Sequence, residues 1–128
     1  MSAALPANFR RIRLELAREP GHPAGDPDVG YTLIAPLEAD GSLDIEAAKR
    51  FREQCKVIRF NRGEEPVEGY LRRRPGGSWA FHYDFEDGDE DDDSGFRFDQ
   101  HRFNVGDYLT LNEDEGAHTY RVAAVVPL

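Results

Sequence analysis

Between Asp84 and Asp93 the chain carries eight carboxylates in ten residues, interrupted only by Phe85 and Gly88. Carboxylates at that density could collect a hard cation or meet a basic partner. A calcium loop of the EF-hand type needs acids at its first, third and fifth positions, glycine at the sixth and a bidentate glutamate at the twelfth. Opened at Asp87, the frame places Asp89 and Asp91 correctly but puts Asp92 at the glycine position and Phe98 at the glutamate position. Opened at Asp89, it places Asp91 and Asp93 correctly and then meets Ser94 and Gln100. Neither frame closes. Asp87, Asp89, Asp91 and Asp93 are thus candidates only for weak calcium or magnesium binding, of roughly millimolar affinity. The favoured expectation is that Asp89, Glu90, Asp91, Asp92 and Asp93 form a contact for a basic macromolecule. The plain alternative is a solvated connection whose charges repel one another.

Three other groupings could carry chemistry. His82, Asp84, Asp99 and His101 have imidazole and carboxylate ligands suited to zinc or iron, if the strands on either side of the acidic run bring them together. Arg72, Arg73 and Arg74, joined by Arg10, Arg11, Arg13, Arg59 and Arg62, could make an anion-binding patch of the kind a small RNA-binding barrel would use. Cys55 falls among apolar residues and reads as a small buried side chain rather than a nucleophile. The sequence contains no G-x-S-x-G, no phosphate-binding glycine loop, no H-E-x-x-H and no C-x-x-C. The expectation is a protein that is not an enzyme and needs no cofactor.

The charge balance narrows the partners. The formal charge is −9, and the eight acids from Asp84 to Asp93 supply most of it; the remaining 17 acids face 16 bases. The acidity is local, and it makes nucleic acid an unlikely ligand near that segment. A chain of 128 residues suits one domain. No apolar run is long enough to cross a membrane, and "MSAALPANF" lacks the basic start and apolar core of a secretory signal. With a single cysteine, Cys55, no internal disulfide is possible, and a reducing cytoplasm is expected. Fourteen of the sixteen basic residues are arginine, which points to a GC-rich bacterial genome.

The elements that must position these residues are mostly strands. "FRRIRLELAR" alternates, with Ile12, Leu14 and Leu16 on one face and Arg11, Arg13 and Glu15 on the other. "EPGHPAGDPDVG" reads as a long irregular loop, and "YTLIAPL" as a strand that Pro36 ends or places at an edge. Asp44 can cap a helix over 45–55, with Ile45, Ala48, Phe51 and Cys55 on one side. "CKVIRF", "VEGYLRRR", "SWAFHYDF", "GFRFDQ", "YLTL" and "AHTYRVAAVV" supply further strands, with "NEDEG" as a tight hairpin. Pairing positions whose numbers sum to 181 sets Phe85 against Phe96, Tyr83 against Phe98 and His82 against Asp99, all favourable cross-strand pairs. That register makes 86–95 an acidic hairpin loop and puts the Arg72–Arg74 turn at the far end of the same strand, roughly 20 Å away. The two charged runs could then meet only between molecules, so the protein is expected to be a monomer or to self-associate weakly and salt-sensitively.

"LEADGSLD", "GGSWAFHYDF", "HRFNVGDYLTL" and "HTYRVAAVVP" together resemble a group of small bacterial proteins of unknown function, which implies a cytoplasmic domain and transfers no site residues. "VGDYLTL" with its following hairpin also resembles the last strands of RNA-associated barrels of the PUA or ASCH type, a likeness of fold alone. The expected architecture is mostly β (α+β by count): a small antiparallel barrel or strongly curved sheet of about seven or eight strands with one helix. Residues 1–8 are expected to form a disordered tail, and 9–128 a single domain.

Overall fold

The computed structural model describes residues 6–21, 23–73, 79–83, 93–96, 102–113 and 116–128. Its strands are β1 (Phe9–Leu16), β2 (Asp26–Pro36), β3 (Lys56–Phe60), β4 (Val67–Arg73), β5 (Trp79–Tyr83), β6 (Asp93–Phe96), β7 (Tyr108–Glu113) and β8 (Gly116–Pro127); helix α1 (Ile45–Arg50) lies between β2 and β3. They form one antiparallel sheet in the order β6-β5-β4-β3-β2-β1-β8-β7. Among the described residues no helix is long and apolar enough to cross a membrane.

The alternation in β1 holds. Ile12, Leu14 and Leu16 are buried, and they face Leu33, Tyr31 and the start of β2 on one side and β8 on the other. Tyr31 and Tyr120 meet edge to face, ring centroids 5.2 Å apart, inside the core made by Leu14, Leu33, Val57, Leu109 and Val122. β2 starts at Asp26, inside the stretch expected to be a loop, because the Asp26 carboxylate accepts the Asp28 N–H (2.9 Å) and a register shift at Glu15/Leu16 absorbs the irregular entry. Pro36 ends that strand, which is interior to the sheet.

The sheet is not a closed barrel: no ladder joins β6 to β7 among the described residues. It is nevertheless strongly curled. Seven flat inter-strand steps of about 4.8 Å would separate the edges by roughly 34 Å, yet Cα atoms of β6 and β7 come within 8 Å of each other.

Two expectations need correction. The helix over 45–55 stops at Arg50; Phe51 leaves helical geometry, Arg52–Gln54 make one 3-10 turn, and Cys55 is extended. Phe51 turns its ring edge-on to Phe9, and the Cys55 carbonyl accepts the Leu71 N–H (3.0 Å), so the chain is already entering the β3–β4 ladder. The β5–β6 pairing is antiparallel but sets Trp79 against Phe96 and Phe81 against Asp93, not positions summing to 181. Pair preferences of about 0.2–1 kcal/mol are too small to hold a two-strand register when β6 must also approach β7 across the curl.

α1 sits where β1 begins and β2 ends. Asp44 caps it, accepting the Ala47 N–H at 3.1 Å, and its other oxygen accepts the Asn8 side-chain amide at 2.9 Å. Asn8, expected in the frayed tail, is pinned by that bond.

Candidate functional site

The acidic run lies between the two strands at one edge of the sheet: β5 ends at Tyr83 and β6 opens at Asp93. Asp87, Asp89, Glu90, Asp91 and Asp92 fall outside the described residues. Asp93 stands opposite Phe81, the middle of β5, so this end of the run reaches back along the strand instead of staying beyond its far end. The expected separation of roughly 20 Å from the arginine turn therefore does not apply to Asp93.

The arginines among the described residues are spread over several strands and turns. Arg72 and Arg73 pair through their backbones with Ala80 and Trp79, while Arg74 lies outside the described residues. Arg13 gives its Nε–H to Glu15 (2.7 Å), donates to the Pro27 carbonyl (2.7 Å) and lies over the Phe60 ring at 4.4 Å. Arg62 bridges Asp26 (2.8 Å) and Asp28 (2.9 Å), and those two carboxylates push its pKa further up. Arg59 stands opposite Tyr31 on β3, and Arg11 is exposed on the outer face of β1. Arg10 has the inward parity of Ile12 and Leu14 and is treated below with its cleft.

Of the imidazole-carboxylate set, only His82 lies among the described residues. His82 pairs with Tyr70 in the β4–β5 ladder, and Asp84, Asp99 and His101 lie outside the described residues. Among the described residues no three His, Cys, Asp or Glu side chains come together as a metal site. His118 has a partner that spacing conceals: its Nδ1 lies 3.0 and 3.2 Å from the two oxygens of Glu19, 99 positions away, tying the segment after β1 to β8. Cys55 is fully buried, with its thiol 3.9 Å from the Ala48 carbonyl, and burial pushes its pKa up to about 12. A thiol so held stays protonated and is a poor nucleophile.

A cleft of about 480 Å³ opens where β1 begins and β8 ends, lined by Asn8, Arg10, Glu38, Asn104, Val105 and Val125 over Leu37 and Phe103. Its size is that of a small-molecule site. A smaller groove of about 200 Å³ runs beside Glu15, Arg18, Tyr108 and Arg121.

No family model, curated protein or solved structure matches this chain.

Sequence reasoning missed the cleft residues. The one available signal is parity: Arg10 sits two residues before Ile12 in an alternating strand and so shares its face, unlike Arg11 and Arg13. Asn8 and Asn104 gave no comparable signal, because their meeting depends on two turns distant in sequence.

Proposed function

We propose that this protein is a non-enzymatic interaction module that presents its acidic run, Asp89, Glu90, Asp91, Asp92 and Asp93 above all, to a basic surface on another macromolecule, most simply a basic protein. The observation that carries the reading is the concentration of charge: eight of the 25 acids lie in one ten-residue stretch of a chain that is otherwise almost balanced. Among the described residues several cations already have carboxylate partners. Arg13 is engaged by Glu15, Arg62 by Asp26 and Asp28, Arg102 by Asp40, Lys56 by Glu68 and Arg121 by Glu15. A concentrated negative field steers a positively charged partner and weakens as salt screens it.

The test compares the native chain with one in which Asp89, Asp91, Asp92 and Asp93 become Asn and Glu90 becomes Gln. Both are immobilised and exposed to a cell extract at about 50 and about 300 mM salt, which shortens the Debye length from roughly 14 to 6 Å. Basic proteins held by the native chain, lost from the variant and released by the higher salt are the expected result. Equal retention by both chains would overturn the reading. Retention destroyed by ribonuclease and by Arg72→Gln, Arg73→Gln and Arg74→Gln together would favour RNA binding instead. Saturation of amide shifts in 84–96 at micromolar calcium would favour a cation site.

A further inference from the structure

We propose that the cleft at the mouth of the curled sheet binds the carboxylate of a small, partly apolar monoanion, with Arg10 as its anchor. Arg10 pairs with Ala35 on β2 and Pro127 on β8, and its side chain lies on the face that carries Ile12 and Leu14. Arg10 is half-buried at the cleft, so its guanidinium is held by the protein yet stays open to a ligand. One guanidinium nitrogen, Nη1, donates to the Ala7 carbonyl (2.8 Å) and the Phe9 carbonyl (2.9 Å). Those bonds fix the group's orientation without neutralising it. Among the described residues no carboxylate forms an ion pair with Arg10, and Nε and Nη2 make no hydrogen bond. The planar fork is therefore held in place with donors left for a bidentate carboxylate.

The opposite wall is preformed. Glu38 N–H donates to the Ser42 carbonyl (2.7 Å), and Gly41 N–H donates to the Glu38 carbonyl (2.9 Å). Phe103 N–H donates to the Gly41 carbonyl (2.7 Å), and the Asn104 amide donates to the Asp40 carbonyl (3.0 Å). Gly41 has φ +91°, and a Cβ there would lie 2.5 Å from Asn104 Oδ1, so the two segments lock only because position 41 is glycine. A wall already in place lowers the entropy lost on binding.

The lining selects the ligand. Val105, 62 % exposed, and the partly buried Val125 give the same cleft an apolar surface. Glu38 lines the same cleft and disfavours a second negative charge, which argues against phosphates and dicarboxylates. A branched or aromatic monocarboxylate satisfies both walls.

The experiment titrates the full chain, labelled for amide NMR, with isovalerate, phenylacetate, the neutral isovaleramide and inorganic phosphate. Saturating shifts confined to 8–10, 37–41 and 103–105 are expected from the two carboxylates, with affinities between about 0.1 and 1 mM for ligands of this size. Isovaleramide and phosphate should bind at least about tenfold more weakly. Arg10→Gln should lower carboxylate affinity by about tenfold or more, and Arg10→Lys, a point charge without the fork, should fall between. Val105→Glu changes an exposed position and keeps the test usable if Arg10 variants fail to fold; its added negative charge should cut affinity by about tenfold. The proposal is overturned by an absence of saturating shifts from both carboxylates up to about 10 mM, by equal binding of the amide or phosphate, or by unchanged affinity in the folded variants.

Discussion

At the scale of single residues, burial decides the chemistry of Cys55. Its thiol is fully buried and pushed from 9.0 up to about 12, so the folded protein holds a proton there that the unfolded chain releases near pH 9. Stability linked to this group is complete below pH 9 and is lost as pH rises toward 12, because in that window the unfolded state binds fewer protons. Urea midpoints measured across that range should fall, and Cys55→Ala should flatten the fall while costing about 1 kcal/mol at neutral pH for the lost sulfur volume. A thiol reagent at pH 8 should label Cys55 only at the rate of opening. Gly30 is a second residue on which the fold depends. A Cβ there would strike the Leu14 carbonyl, backbone that cannot move without disturbing β1. Gly30→Ala should therefore destabilise by about 2 kcal/mol or more, read from urea denaturation.

At the scale of elements, α1 is too short to stand alone. Six residues cannot support a helix in water, so cap and packing must hold it. Asp44 does both jobs, accepting Ala47 N–H with one oxygen and the Asn8 amide with the other. Asp44→Ala should cost about 1–2 kcal/mol, and Asp44→Asn should recover part of it because an amide oxygen still caps; denaturant unfolding of the three chains checks the order. β1 lies in ladders with β2 and β8, and its buried residues are at the centre of the core. Its amides should be the slowest to exchange with solvent, ahead of those in the edge strand β7.

For the whole molecule, a formal charge of −9 concentrated in one run repels itself and weakens the compact state. Raising salt from about 20 to about 300 mM should raise the thermal midpoint by a few degrees. Neutralising Asp89 to Asp93 removes five negative charges, leaving −4, and should both raise the low-salt midpoint and blunt its response to salt. Scanning calorimetry on the two chains checks this without any partner present. A native midpoint indifferent to salt would mean the run's charges lie too far apart, or too well hydrated, to strain the fold.

What the sequence determined by itself was local. The alternation of Ile12, Leu14 and Leu16, the Asp44 cap, the burial of Cys55 and the tight Glu113–Gly116 hairpin all follow from period, capping chemistry or turn length, which neighbouring residues encode completely. The confinement of negative charge to one stretch was equally plain. Only the tertiary structure decided the curl that brings β6 within 8 Å of β7, the Trp79–Phe96 register, the ending of α1 at Arg50 and the meeting of His118 with Glu19. It also separated Arg10 from the arginines beside it and placed it in a cleft closed by Gly41 and Asn104. Each of these depends on a strand answering to two neighbours at once or on turns far apart in the chain. Pairwise preferences of about 0.2–1 kcal/mol are too weak to reveal such choices before the sheet curls around them.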